Sequence, residues 1–160
     1  MNLKQTFSSH LIDDLSALET LLKEDRFDKD TTRLGAEQEF CLIDYQLRPK
    51  MLAIEMLEAL NDDQFTTELA RFNLEANLNP LVLENGAFIQ LENNLIRMLT
   101  HANKKAHSLG AKIILTGILP TIKSSDLVME NMTPKDRYYE LNDAMRSAWK
   151  RFHVQHQWIG

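Results

Sequence analysis

Residues 33–40 read RLGAEQEF, and the fold turns on how they are laid out. Successive strand side chains point to opposite faces of a sheet. Leu34, Ala36 and Phe40 therefore share one face and call for a core, while Glu37 and Glu39 share the other. The alternation runs from about residue 32 to 44, which predicts a strand there. Glu is depleted in strands, so two on one face ask for a chemical reason.

A second alternation lies at residues 69–78, LARFNLEANL. Phe72, Leu74, Ala76 and Leu78 take one face; Arg71, Asn73, Glu75 and Asn77 take the other. Pro80, which has no N–H for a ladder, is expected to end this strand. With the two strands side by side, Glu37, Glu39 and Glu75 converge on one open sheet face. Carboxylates that close raise each other's pKa unless something offsets the repulsion. A cluster of oxygen donors on a rigid sheet suits a hard divalent cation, Mg²⁺ or Mn²⁺, of the kind that bridges to phosphates. The plainer reading is a wet face, since one side of an antiparallel sheet is often solvated.

Around these strands the pattern switches to helical periods. Leu11, Leu15, Leu18 and Leu22 recur on one helix face, with Ser8 or Ser9 as N-cap. MLAIEMLEALND, from residue 51, reads as a short helix. Phe88, Leu91, Leu95, Leu99, Ala102, Ala106 and Leu109 make a stripe that predicts a long helix over 84–109, with Gly110 at C′. AKIILTGILP, from residue 111, reads as a buried strand stopped by Pro120. Residues 121–132 show no period. TPKD then starts a last helix, with Thr133 as N-cap, Pro134 at N1, and Leu141, Met145, Ala148 and Phe152 as its buried face. No Gly-rich strand-to-helix turn marks a dinucleotide fold. The expected class is α+β: a mostly antiparallel sheet with helices on one face.

Composition bounds the function. The chain has 160 residues, 44% hydrophobic and 26% charged, with a formal net charge of −5. That fits one domain, 1–160, with a sizeable core. No Lys/Arg cluster provides a nucleic-acid footprint. No apolar run approaches the ~18 residues of a membrane span, and the N-terminus lacks a signal-peptide layout. Cys41 is the one cysteine, which fits the reducing cytoplasm. It shares the parity of Glu37 and Glu39, yet no base stands beside it in sequence, so it is read as a buried, inert thiol. His10, His101 and His107 are read as surface residues. His153 and His156, three apart in FHVQHQWIG, make a poor metal pair. Trp158 and Ile159 are large apolar residues at the chain's end, from which the chain is expected to be the N-terminal part of a larger catalytic domain. The last residues are expected to begin another strand. A sheet divided in this way leaves an unpaired edge, through which a homo-oligomer is expected.

Three blocks carry a family resemblance. LGAEQEFCLID resembles the opening strand of the type-two glutamate–cysteine ligases, the carboxylate–amine ligases, at Gly35, Glu37, Glu39 and Phe40. RFNLEANLNP is similar to the family's next motif at Glu75 and Pro80. TGILPTIKSSDLVMENMTPKDRYYELND is similar to a third block at Gly117, Pro120, Arg137 and Tyr138. Together they cover roughly residues 33–142.

The resemblance implies a glutamine-synthetase-like catalytic fold, in which a curved sheet holds Mg²⁺ or Mn²⁺. It also implies ATP-dependent joining of a small-molecule carboxylate to an amine through an acyl phosphate, of the type used in glutathione biosynthesis. It makes Glu37, Glu39 and Glu75 the metal ligands. It makes Arg137 the candidate catalytic residue, since its planar fork suits phosphate or carboxylate; a surface ion pair at a helix start is the alternative. Tyr138 reads as packing. The nucleotide-binding residues stay unassigned. Two departures stand out: Leu119 where the family has histidine, and Arg71 where many members have a second acid. Glu68 lies nearby but out of register and takes no role. The chain alone is expected to be inactive. The competing reading is a non-catalytic binding or regulatory module of the same fold. Guanidino-phosphoryl transfer, which uses a related sheet, lacks its cysteine-containing substrate loop here.

Overall fold

The alternation around Glu37 and Glu39 is a strand, β1 (Arg33–Ile43), on the inside of a four-stranded antiparallel sheet. The computed structural model describes residues 3–29 and 31–152, with side chains described for 6–29 and 31–147. Chain order is α1 (Leu3–Lys23), β1, α2 (Ala53–Leu60), β2 (Phe65–Thr67), β3 (Asn73–Val82), α3 (Ala87–Ser108), β4 (Lys112–Ile114) and α4 (Asp136–Phe152). The strands lie in the order β2-β3-β1-β4, and the sheet is open rather than closed into a barrel. The α+β expectation holds.

One sheet face carries the main core. Phe40 and Leu42 of β1, Leu74, Ala76 and Leu78 of β3, and Phe65 of β2 are buried there. Met56 and Leu60 of α2 and Met98, Ala102 and Ala106 of α3 cover them. The rings of Phe40 and Phe65 meet edge-on, 6.3 Å apart at 82°. Gly110 follows α3 with φ +66°, the left-handed C′ conformation that glycine adopts without strain.

The other face is only half covered. A strap, residues 116–133, crosses its β4 end and buries Leu119 against Cys41, Ile43, Ala70 and Phe72. It contains two short 3-10 turns, Ser124–Asp126 and Met129–Asn131. Arg48 anchors it, donating from Nη2 to Asp126 Oδ2 (2.6 Å) and from Nη1 to the Thr121 carbonyl. Beyond the strap, the face bearing Glu37, Glu39 and Glu75 stays open.

Several expectations change. The strand read at 69–78 begins only at Asn73, because Ala70–Phe72 form a turn; Arg71 leaves the strand. Pro80 does not end β3. Leu34 pairs with Leu81 and Ala36 with Leu78, so Asn79 and Pro80 together stand against Gly35. A bulge tolerates a residue without an N–H. The buried strand read at 111–120 shrinks to the three residues of β4, on an edge, because Thr116 and Gly117 turn the chain onto the strap. Leu115 and Ile118 are consequently exposed. Helix α1 starts at Leu3, which puts Ser8 and Ser9 inside it. Helix α4 starts at Asp136, and Thr133 spends its hydroxyl elsewhere. The predicted inner faces of α1 and α4 are not buried: Leu11, Leu15, Leu18, Leu22, Leu141 and Met145 are exposed, as is Phe88 of α3. The expected strand at FHVQHQWIG, with His153 and His156, and the side chains of Ala148 and Phe152 lie outside the described residues.

Candidate functional site

Strand register decides what the acids can do. Glu39 stands directly opposite Glu75 across the β1–β3 pair, and Glu37 stands opposite Asn77. Directly opposed side chains on one face are about 4.5–5.5 Å apart at Cβ, so Glu39 and Glu75 form a like-charge pair by construction. Thr66 of β2 stands opposite Glu75 on its other side. Asn77 Nδ2 donates to Thr66 Oγ1 (3.3 Å), so the β2 side of the face is polar and tied together.

The third acid of the cluster is Glu68. Carboxylate oxygens of Glu39, Glu68 and Glu75 all lie within 4.8 Å of one another. Glu39 is exposed and the other two are half-buried. Burial holds the Glu68 carboxyl above the usual carboxylate range; its hydrogen bond to Glu75 and the charges of Glu75 and Glu39 push it further the same way.

Glu68 enters the site through a hairpin. The chain turns back at Ala70–Phe72, and Glu68 N–H donates to the Asn73 carbonyl (3.4 Å). In hairpin register Glu68 follows Thr66 on the acid face, whereas counting back along one uninterrupted strand from Glu75 puts it on the core face. The sequence signal that could have found it is Phe65 followed by two threonines, a short β-rich run just before the turn. Thr133 holds the position: it is buried, its Oγ1 donates to the Glu68 carbonyl (2.5 Å), and its N–H donates to the Leu69 carbonyl (2.8 Å).

Glu39 and Glu68 stand at the mouth of a groove of about 280 Å³ between the sheet and the strap. Cys41, Phe72, Leu119 and Ile122 line its apolar part. Cys41 is buried as expected; burial, and then the Glu39 charge, push its thiol up. Its Sγ donates a long bond to Asn73 Oδ1 (3.9 Å). A thiol held in its neutral form is a poor nucleophile.

The other predicted residues lie apart. Glu37 is on the same face, one pair further along, bordering a separate groove with Gly35, Asn77 and Pro80. Arg137 is exposed at the start of α4; its Nη2 donates to the Tyr138 hydroxyl (2.7 Å) and its guanidinium lies 4.7 Å from that ring's centre. It does not line the groove beside Glu39 and Glu68. Arg71 sits in the hairpin turn with its backbone N–H on the Asn131 carbonyl (2.8 Å), and it is not among the groups that shift Glu68. Leu119, at the position where the resemblance called for histidine, is a core residue.

Three carboxylates with converging oxygens are a donor set that fits a hard divalent cation. Glu39, Glu75 and Glu68 are the residues that would hold it. Among the described residues no helix is long and apolar enough to cross a membrane. No family model, curated protein or solved structure matches the chain.

Proposed function

We propose that this chain provides the metal-binding wall of an ATP-dependent carboxylate–amine ligase, similar to the type-two glutamate–cysteine ligases. The observation that carries the reading is the convergence of Glu39 and Glu75, on the two strands that bear the first two resemblance blocks, with Glu68 from the hairpin after β2, all with oxygens within 4.8 Å of one another. A divalent cation, Mg²⁺ or Mn²⁺, supplies charge neutralisation for ATP phosphates when it is bound at such a site. The chain's own part is to present the three carboxylates in fixed register, to hold Glu68 through Thr133, and to wall one side with the strap. The substrates are a small-molecule carboxylate and an amine, and a reducing compartment such as the cytoplasm suits the neutral Cys41 thiol. Glu37 borders the site as an outlying acid of the same face. Arg137 is kept as the candidate for substrate or phosphate.

One observation favours a second reading, a non-catalytic binding or regulatory module. Leu119 is packed into the core where the family's histidine would stand, so that polar contact is absent. Mn²⁺ uptake followed by water-proton relaxation tests the shared premise. Uptake should be stoichiometric, lost in Glu75→Gln and retained in Glu37→Gln. Absence of uptake, or uptake indifferent to Glu75, rejects the metal reading. ADP release with panels of acids and amines then separates ligase from module.

A further inference from the structure

β4 ends the sheet, and among the described residues no strand lies beyond it. Its neighbour shows which way its backbone points. Leu42 donates its N–H to the Phe72 carbonyl (2.7 Å) and accepts from Lys50 N–H (2.9 Å), both on the side away from β4. Pairs alternate along an antiparallel ladder. Leu42–Ile113 is therefore a non-hydrogen-bonded pair, flanked by Cys41–Ile114 and Ile43–Lys112. Ile113 turns its N–H and carbonyl outward to the open edge. Beside that edge lies a groove of about 380 Å³ lined by Ile96, Leu99, Thr100, Asn103, Ile113 and Leu115. Ile96 and Leu115 are 55% and 50% exposed. Such an edge is a template for another strand.

We propose that a second copy of this chain docks here, β4 against β4 in antiparallel sense, about a two-fold axis at Ile113. A two-fold perpendicular to the sheet keeps each face on its own side, so directly opposed residues must share strand parity. An axis at Ile113 meets that condition. Ile113 faces its own copy and exchanges both outward backbone bonds with it, and Lys112 faces Ile114 of the copy, so no like charges oppose. The same axis lays α3 beside its copy, running the opposite way. Glu92, Ile96, Thr100, Asn103 and His107 recur on one helix stripe, and the middle three border the groove or its rim. Acid stands toward one end of that stripe; Lys104, Lys105 and His107 stand toward the other. Antiparallel helices thus set Glu92 toward the basic end of the copy, and the charge order is self-complementary, as an isologous interface requires. Stable interfaces bury on the order of 1,200 Å² or more in total. A three-residue strand pair cannot supply that alone, so the α3 stripe carries most of the contact, with Ile96 near its centre. The proposal does not depend on the cation site, which lies on the opposite face.

Sedimentation equilibrium on the whole chain tests this. The expected species is a dimer, weakened about tenfold or more by Ile96→Glu, a cost typical of a central apolar contact. Glu92→Lys should weaken it, and adding Lys104→Glu with His107→Glu should restore it, a rescue that unspecific apolar sticking does not give. Circular dichroism and urea unfolding check that each variant is folded. A monomer at high micromolar concentration overturns the proposal, as does a dimer broken by Leu15→Glu on α1 but not by Ile96→Glu. Slow hydrogen exchange at Ile113 in a monomer also overturns it, because another segment of the same chain then covers the edge.

Discussion

Glu39 and Glu75 face each other because their neighbours are buried. Phe40 and Leu74, the next residues on β1 and the residue before Glu75 on β3, are completely buried on the core face, and burying such side chains is worth about 1.5–3 kcal/mol each. Opposing two like charges costs only about 0.2–1 kcal/mol. The core therefore sets the register, and the acids are carried along. Glu68 concentrates the strain: burial and the two neighbouring glutamates raise its pKa. The folded chain then holds that proton more tightly than the unfolded chain. The associated stability is full below the ordinary carboxylate range and is lost as pH rises through the raised value. In the presence of a chelator, Glu68→Gln should flatten this loss of urea-unfolding midpoint with rising pH, and it should also weaken Mn²⁺ uptake. An unchanged slope would show that Glu68 does not feel its neighbours.

At the scale of elements, the strap sets the boundary of the site. Leu119 pins it in the secondary core, Thr133 ties its end to Glu68, and Arg48 clamps its middle at Asp126. The backbone N–H of Lys123, and then the Arg48 charge, hold the Asp126 carboxyl below the usual range. The sign is opposite to that of Glu68: this stability is present above the unfolded carboxylate pKa and lost as pH falls through the folded value. Asp126→Asn should make residues 116–133 more susceptible to proteolysis at neutral pH and should remove the strap's own acid-induced loosening, measured by hydrogen exchange in that segment. Equal protection in both proteins would rule out the clamp. None of this was legible from a stretch without period, because its contacts are made by single side chains reaching distant backbone. The two main strands and all four helices were legible, since each carries its apolar residues with a regular period. The hairpin turn at Ala70–Phe72 was not, because LARF continues the alternation that follows it. Continuing the strand through the turn put Arg71 on the acid face and left Glu68 without a role.

At the scale of the whole molecule, the described chain divides into a packed centre and two helices with apolar faces in the open. α2 and α3 close the core face of the sheet, while no other described element packs extensively on α1 or α4. On α1, Phe7, Ile12, Leu15 and Leu22 are each more than half exposed. Sequence periodicity showed that this face is apolar; it carries no information on what the face meets, which is why the expected burial failed while the helix itself held. The physical consequence is that α1 contributes little to the stability of the sheet. Its link to β1 includes the exposed Arg33–Asp28 ion pair, and exposed pairs contribute about 0–1 kcal/mol. A chain lacking residues 1–27 should therefore unfold in urea with the same cooperativity, and with a stability within about 1 kcal/mol of the intact chain, the size of a typical point substitution. It should also keep the β4-mediated dimer and Mn²⁺ uptake. A loss of cooperativity, or a larger drop in stability, would show that α1 folds back onto the sheet in solution, and the open faces would then have to be assigned to each other.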